Sequence, residues 1–426
     1  MKREFFLFHI TDFNNFKNQL LSFEKKFSNF CFLDNHEYHF NKSYECVAGA
    51  GSINIIKHNT VGSLLQLQTF QKENKDWIFG HVSYDLKNEI EDLFSKNFDG
   101  IQFPDFFFFV PEIVFILSKD AVSIGVYDDN NAKEIFNEIS KIIVSEKKYE
   151  TPLLRNRFSH KEYLQSVKKF QEHISRGDCY EICFCQEFFA ENIQLDPVTV
   201  FKKLSDFSPN PFSAFYKCEE KYLMCASPER FLKKIGNTII SQPIKGTLKR
   251  TGSNNKKDKE EKTLLQTNEK ERAENTIIVD LVRNDLSKIC IEGSVTVKEF
   301  LEIYSFPQVH QMISTITGSL NDNISFAEIL TATFPMGSMT GAPKKRVMEL
   351  IEKYERTKRG LFSGTVGYIN PEGDFDFNVV IRSILYNKKN KYLSIQSGSA
   401  ITFKSDPDKE YEECKVKIEA MRQALM

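Results

Sequence analysis

The sequence predicts an α+β protein whose strands are mostly antiparallel. Apolar runs of strand length follow one another across short polar turns, and "NPEGDFDFN" (370–378) reads as the turn of a hairpin. Helical stretches are segregated from these runs, which argues against a doubly wound parallel sheet. The chain has 426 residues, a formal charge of −1, 41% hydrophobic and 27% charged content, enough for more than one folding unit. A charge so near zero excludes a nucleic-acid binder held by bulk electrostatics.

Residues 1–150 form an N-terminal region of β-like runs, "CFLDNHEYHF", "SINIIKH", "WIFGHVSYDL" and "VFILSKDAVSIGVYD", with helices between them. The most apolar run, "FPDFFFFVPEIVFIL" (103–117), is too short and too interrupted by proline to span a bilayer and reads as one or two core strands. The N-terminus lacks the apolar core and cleavage site of a signal peptide, so a cytoplasmic protein is expected. The charged segment 145–160 reads as a linker to a second region, 151–426.

That region opens with a helix capped by Ser159, with Tyr163, Val167, Phe170 and Ile174 on one face and Gly177 as its stop. Strands and helices alternate through 178–300, and "KRTGSNNKKDKEEK" (249–262) reads as a solvated loop before a helix. Next come helix "FAEILTATF", loop "PMGSMTGAPK" and helix "KRVMELIEKYE". The strands "GTVGYIN", "FDFNVVIRSILY" and "KYLSIQSGSAITF" follow, and a helix after "SDPDKEYEE" closes the chain.

Nine scattered cysteines fit a reducing compartment, not a disulfide framework. Cys179, Cys183 and Cys185 lack the spacing of a zinc site. "GSMTGAPKK" (337–345) has three residues between its glycines and no Gly-Lys pair, so it is no Walker A loop. No serine or cysteine nucleophile elbow and no glutaminase-like segment is visible.

Several residues stand out chemically. Glu271 and Glu274, and Glu410 and Glu413, lie three apart on helices, so each pair shares a face, with Lys417 one turn beyond the second. Such pairs can build a hard oxygen site for Mg²⁺, although a solvated face is the commoner use. Arg382 in "NVVIRSILY" is a charge in an apolar strand and calls for an anion. Tyr368 sits in a neighbouring strand, and the small residues of "QSGSAI" leave room for a ligand against the backbone. His310 alone reads as a core histidine and Glu229 as a local cap or pair. Lys245 in "PIKGT" is flanked by Ile244 and Gly246, an unusual place for a solvent-facing lysine.

The order of segments is more specific than any one of them. "GDCYEICFCQ", "ASPERFL", "PIKGT", "KERAENTIIVDLVRND", "VHQMISTITG", "FPMGSMTGAPKKRVMELI", "RGLFSGTVGYI", "GDFDFNVVIRS" and "SDPDKEYEECKVK" resemble the successive signatures of the chorismate-binding enzymes. The likeness covers roughly residues 155–425; the N-terminal third resembles the family's variable N-terminal region. It implies two antiparallel sheets packed between helical layers, with the active site between them. It implies Mg²⁺ at Glu271, Glu274, Glu410 and Glu413, receiving the ring carboxylate of chorismate. Arg382 and Tyr368 would hold the enolpyruvyl carboxylate, and Ser338, Lys417 and Gly398 would line the substrate, with His310 in the catalytic set.

Within the family, "PIKGT" resembles the branch that aminates chorismate to 4-amino-4-deoxychorismate, for p-aminobenzoate and folate. Anthranilate-forming members usually carry "PIAGT". The implied chemistry has Lys245 attack C2 as the C4 hydroxyl leaves, Glu229 protonate that hydroxyl, and ammonia from an amidotransferase partner displace the lysine. A nucleophilic lysine must be deprotonated, which burial favours and neighbouring carboxylates oppose. Isochorismate and salicylate synthases place a lysine where this chain has Glu181, which argues against water activation. No "LLES"-like segment is clear, so tryptophan control is not expected; "FLDNHEY" stands in that place. Departures from the family pattern are Ala400 in "QSGSAI" and Lys404 in "FKSDP". Two alternatives stay open: an anthranilate-forming enzyme, and a silent chorismate-fold binding protein.

Overall fold

Strands buried on both faces for most of their length pair into two sheets, and among the described residues the strands pair antiparallel. The computed structural model describes residues 2–38, 43–58, 62–127, 129–250, 256–306 and 309–426. Among these residues one sheet has twelve strands and the other ten. Both draw strands from residues 1–150 and from the rest of the chain. The segment 142–154 that joins the two regions carries no regular structure, so the division is one of sequence and the sheets bridge it.

The main core lies between the sheets, where Phe79, Phe107 and Val114 meet Cys185, Leu223, Phe377 and Leu385. The outer face of the larger sheet is covered by the helices Phe13–Ser22, Asp129–Ser140, Pro197–Phe207 and Glu419–Ala424. The run "FFFFV" (106–110) is buried at every position because one face meets the sandwich core and the other the helix Phe326–Thr333, where Phe108 packs against Phe326. The apolar run 103–117 thus yields two strands, Phe106–Val110 in the smaller sheet and Ile113–Ser118 in the larger.

Helix starts follow local chemistry. Ser159 and Glu162 form a capping box for the helix His160–Ser175, and Ser325 and Glu328 do the same for Phe326–Thr333. Two expectations change. The loop expected at 249–262 is already helical from Lys256 (Lys256–Thr267), with Asp258 and Leu265 turned inward; residues 251–255 lie outside the described residues, as do 39–42 beside "FLDNHEY". The single strand expected over 375–386 is two, Phe375–Asn378 and Ser383–Asn387, because the chain leaves the smaller sheet for the larger between them.

Close strand packing explains the small residues at 396–400. Gly398 stands opposite Cys185, and a Cβ there would lie 2.4 Å from the Cys185 sulfur and 2.6 Å from the Phe184 carbonyl oxygen. The space next to Gly398 is filled by protein, so the bareness serves the sheet. Gly398→Ala is expected to cost about 1–3 kcal/mol, the scale of overpacking in a filled core, read as a lower midpoint in urea at unchanged slope.

Candidate active site

Two sheet-to-sheet crossings lie side by side. The strand Lys221–Ser227 belongs to the larger sheet and Arg230–Ile235 to the smaller, and Pro228 and Glu229 make the step between them. The chain returns in the opposite direction through residues 379–382. The crossings hold each other through Val379 N–H to the Glu229 carbonyl (3.0 Å) and Ala226 N–H to the Arg382 carbonyl (3.0 Å). Arg382 is therefore a bend residue, in the left-handed region (φ 51°), and not a strand residue.

Glu229 is 4% exposed and lines a small, mostly apolar cavity of about 20 Å³ with Phe231, Ile278, Met336 and Val379. Burial pushes its carboxyl up to about 7, against the opposing pull of Ser338, the Lys245 charge and the Ile244 N–H. The buried Ser338 hydroxyl approaches this carboxyl but completes no hydrogen bond of ordinary geometry. Arg382 lines a neighbouring cavity with Pro228, Thr247 and Gln311. Its Nη1 donates to the Lys417 carbonyl (3.1 Å), and among the described residues it has no ion pair. Burial lowers its pKa, the Glu413 charge opposing, so an anion arriving there is strongly favoured.

Lys245 is re-aimed by a bulge. The strand Ile244–Lys249 gains one residue against Val309–Ser319 between Ile244 and Thr247, and Gly246 takes a positive φ (88°) that a side chain would resist. Lys245 Nζ then meets Glu181 Oε1 at 3.0 Å. Burial alone would lower the pKa of this amine, but the charges of Glu181, Glu274 and Cys183 and the Glu181 hydrogen bond outweigh it. Lys245 is held above the ordinary lysine value and rests as an ammonium.

The two acid pairs come from helices on opposite sheets. Glu269–Ser287 packs on the smaller sheet and Pro407–Lys417 on the larger. Lys270 ties them together, with Nζ 2.8 Å from Glu410 Oε1 and 3.6 Å from Glu274 Oε1. Glu274 Oε1 and Glu410 Oε2 are buried without a hydrogen-bond partner. Burial pushes Glu274 up to about 8 against the pull of Lys245. Burial and the Glu413 charge raise Glu271, whereas Glu413 falls because Lys417 outweighs its burial.

Orphaned carboxylate oxygens around an ammonium fit a hard divalent cation that retains waters. The fit is loose: among the described residues only Asp258, Glu261 and His310 bring three ligand atoms within 4.8 Å of one another. Arg250 already pairs with Asp258 there.

Lys417 completes the arrangement, with Nζ 2.6 Å from Glu413 and 2.8 Å from the Gly398 carbonyl. Glu229, Lys245, Ser338, Arg382, Gly398, Lys417 and the four glutamates thus form one linked neighbourhood. Two expected members lie elsewhere. Tyr368 turns its ring into a different cavity, with Tyr44, Arg230 and Asp376, and packs on Trp77 and Phe79, so it shares no anion site with Arg382. His310 is fully buried between Asp258 (3.1 Å) and Ser305 (2.9 Å) and bonds to no residue of the Lys245 group. Sequence reasoning missed Lys270 and the pairing role of Glu181; a charge opening the apolar strand "EICFC" was a usable signal for the latter.

The family profile for chorismate binding enzymes matches residues 23–423. The chain is 32% identical over 363 residues to aminodeoxychorismate synthase component 1 of Bacillus subtilis, covering 81% of this chain and 76% of that protein. It is 30% identical to anthranilate synthase component 1 of Aquifex aeolicus, covering 82% and 74%. In fold it matches the crystal structure of anthranilate synthase component I from Streptococcus pneumoniae, with a TM-score of 0.78 at 24% identity over 92% of each chain.

Proposed function

Because this chain belongs to the family of chorismate-binding enzymes, we propose that it converts chorismate and ammonia to 4-amino-4-deoxychorismate, the p-aminobenzoate precursor. The carrying observation is the Lys245 amine, largely withdrawn from solvent and hydrogen-bonded to Glu181, close enough to Glu229 for its charge to pull on that carboxyl. A nucleophile and an acid half-loaded near neutral pH are what displacement of a hydroxyl requires.

Chorismate is a dianion, and the two ends of the neighbourhood are suited to its two carboxylates. Arg382 offers unpaired guanidinium donors to the enolpyruvyl carboxylate. Glu271, Glu274, Glu410 and Glu413 would hold Mg²⁺, which neutralises the ring carboxylate when bound. Holding the ion there would require Lys270 to give up its contacts to Glu274 and Glu410. Lys417 and the Gly398 carbonyl set the wall beside the ring. Lys245 adds to C2 while the C4 hydroxyl departs as water with the Glu229 proton. Ammonia then adds at C4, the Lys245–C2 bond breaks, and Glu229 recovers its proton from the new ammonium.

The relatives' designation as component 1 supports an ammonia supply from a separate glutamine amidotransferase. Among the described residues no helix is long and apolar enough to cross a membrane. All nine cysteines are buried free thiols, which supports a cytoplasmic setting.

The test supplies chorismate, ammonium and Mg²⁺ and follows products by chromatography. The expected product is 4-amino-4-deoxychorismate without pyruvate, lost on chelation and obtained from glutamine only when an amidotransferase is added. Anthranilate with pyruvate as the main products would overturn the proposal.

A further inference from the structure

Among the described residues Glu181 is the one group bonded to the Lys245 amine, and the chemistry above leaves it without a task. It is 1% exposed, and its second oxygen, Oε2, is buried without a hydrogen-bond partner. Buried carboxylates are ordinarily saturated with donors, so a half-used one at a reaction centre calls for a reason. Its backbone is fixed firmly. Glu181 pairs with Ala342 in register, and the carbonyl of Glu181 lies 2.1 Å from where a Cβ on Gly341 would stand, so only glycine lets the two chains approach.

We infer that Glu181 is the catalytic base that takes the proton from Lys245, frees the amine for attack, and returns the proton when the lysine is released. The argument is geometric. A resting ammonium cannot add to carbon, and once substrate covers a buried amine its proton has no route to water. A proton passing between bonded partners 3.0 Å apart turns an ion pair into a neutral pair and separates no charge. Other charged or titratable groups reach the pair through space and without a hydrogen bond to it. These are Glu274 and Glu271 from one helix, Glu413 from another, Glu229 at the crossing, and Cys183 two residues along the same strand; Lys270 and Lys417 act on those carboxylates in turn.

The steps balance. Lys245–NH₃⁺ gives a proton to Glu181, the freed lone pair forms the N–C2 bond, the ring double bond shifts, and the C4–O bond breaks to water with the proton of Glu229. Ammonia forms the C4–N bond, the double bond shifts back, and the N–C2 pair returns to Lys245. The C4 ammonium reloads Glu229, and Glu181 reprotonates Lys245. Every residue ends as it began.

This inference rests on the lysine-adduct reading, so the experiment separates the two. Parent, Glu181→Gln and Glu181→Asp enzymes are mixed with chorismate and Mg²⁺ without ammonia, quenched, and the Lys245 adduct is followed by intact mass. The parent is expected to accumulate adduct. Glu181→Gln, isosteric but unable to take the proton, is expected to form it roughly 10²–10³-fold more slowly at unchanged chorismate affinity. Glu181→Asp is expected to recover part of the rate, which a merely structural role would not allow. Adduct formation by Glu181→Gln at the parent rate or faster would overturn the inference and leave the adduct reading standing. No adduct in the parent would remove both. If Glu181→Gln lacks a cooperative unfolding transition, Glu181→Asp decides: a folded Asp variant at the parent rate or faster also overturns the inference.

Discussion

Replacing Lys245 by alanine is expected to abolish the adduct and to cut amination by roughly 10³-fold or more, the scale on which removal of a covalent nucleophile or its proton partner acts. The effect is large because nothing else near C2 can serve. Lys417 is engaged with Glu413 and the Gly398 carbonyl, and Lys270 stands at the acid pairs, beyond Glu274. The substitution has a second consequence. It leaves Glu181 buried beside Glu274 with its counter-charge gone, a loss of roughly 3–5 kcal/mol for a broken buried pair. The double variant Lys245→Ala/Glu181→Gln removes that penalty, so it should melt closer to the parent while remaining inactive. Rapid-quench assays with thermal denaturation separate the chemical loss from the structural one. Amination by folded Lys245→Ala at the parent rate would end the adduct mechanism.

Glu229→Gln is expected to slow amination by roughly 10²–10⁴-fold, the range for losing a general acid, while making the protein more stable at alkaline pH. The two effects share one cause. Burial pushes Glu229 up to about 7 from an ordinary 4.5, so the folded protein holds this proton more tightly than the unfolded chain does. The sign follows: stability from this group is full below about 4.5 and is lost as the pH rises through about 7. The acid is spent over the same upper range, so the activity of the parent should fall as pH rises through neutrality. Glutamine has no such proton. Its variant should show no alkaline fall from this group and gain up to about 3 kcal/mol at pH 8 relative to the parent. Urea midpoints between pH 5 and 8 and a pH–rate profile check both. A parallel pH dependence of parent and variant stability would show that Glu229 is not the group involved.

Much of the candidate site is legible in residue order and local pattern. The i,i+3 glutamate pairs declared their shared faces, and Lys245 and Arg382 declared themselves as charges in apolar surroundings. Face is not the same as place, however. Tyr368 stood in a suitable strand with a suitable hydroxyl, but which cavity its ring enters is set by Trp77 and Phe79, nearly three hundred residues earlier in the chain. His310 had been read alone as a core histidine, and its bonds to Asp258 and Ser305 are those of one.

Fold class, the helix cap at Ser159, the two acidic helix faces and the family were determined by the sequence itself, because each depends on neighbours a few residues apart or on the order of segments. The tertiary structure alone decided three things. It set Glu229 and Arg382 on adjoining crossings between the sheets. It closed Lys245 onto Glu181 across 64 residues and Lys270 onto Glu410 across 140. It also chose the protonation states, an ammonium at Lys245 and a half-loaded acid at Glu229. The physical reason is common to all three: burial and the distance between charges are properties of the packed chain, and no local run of residues contains them.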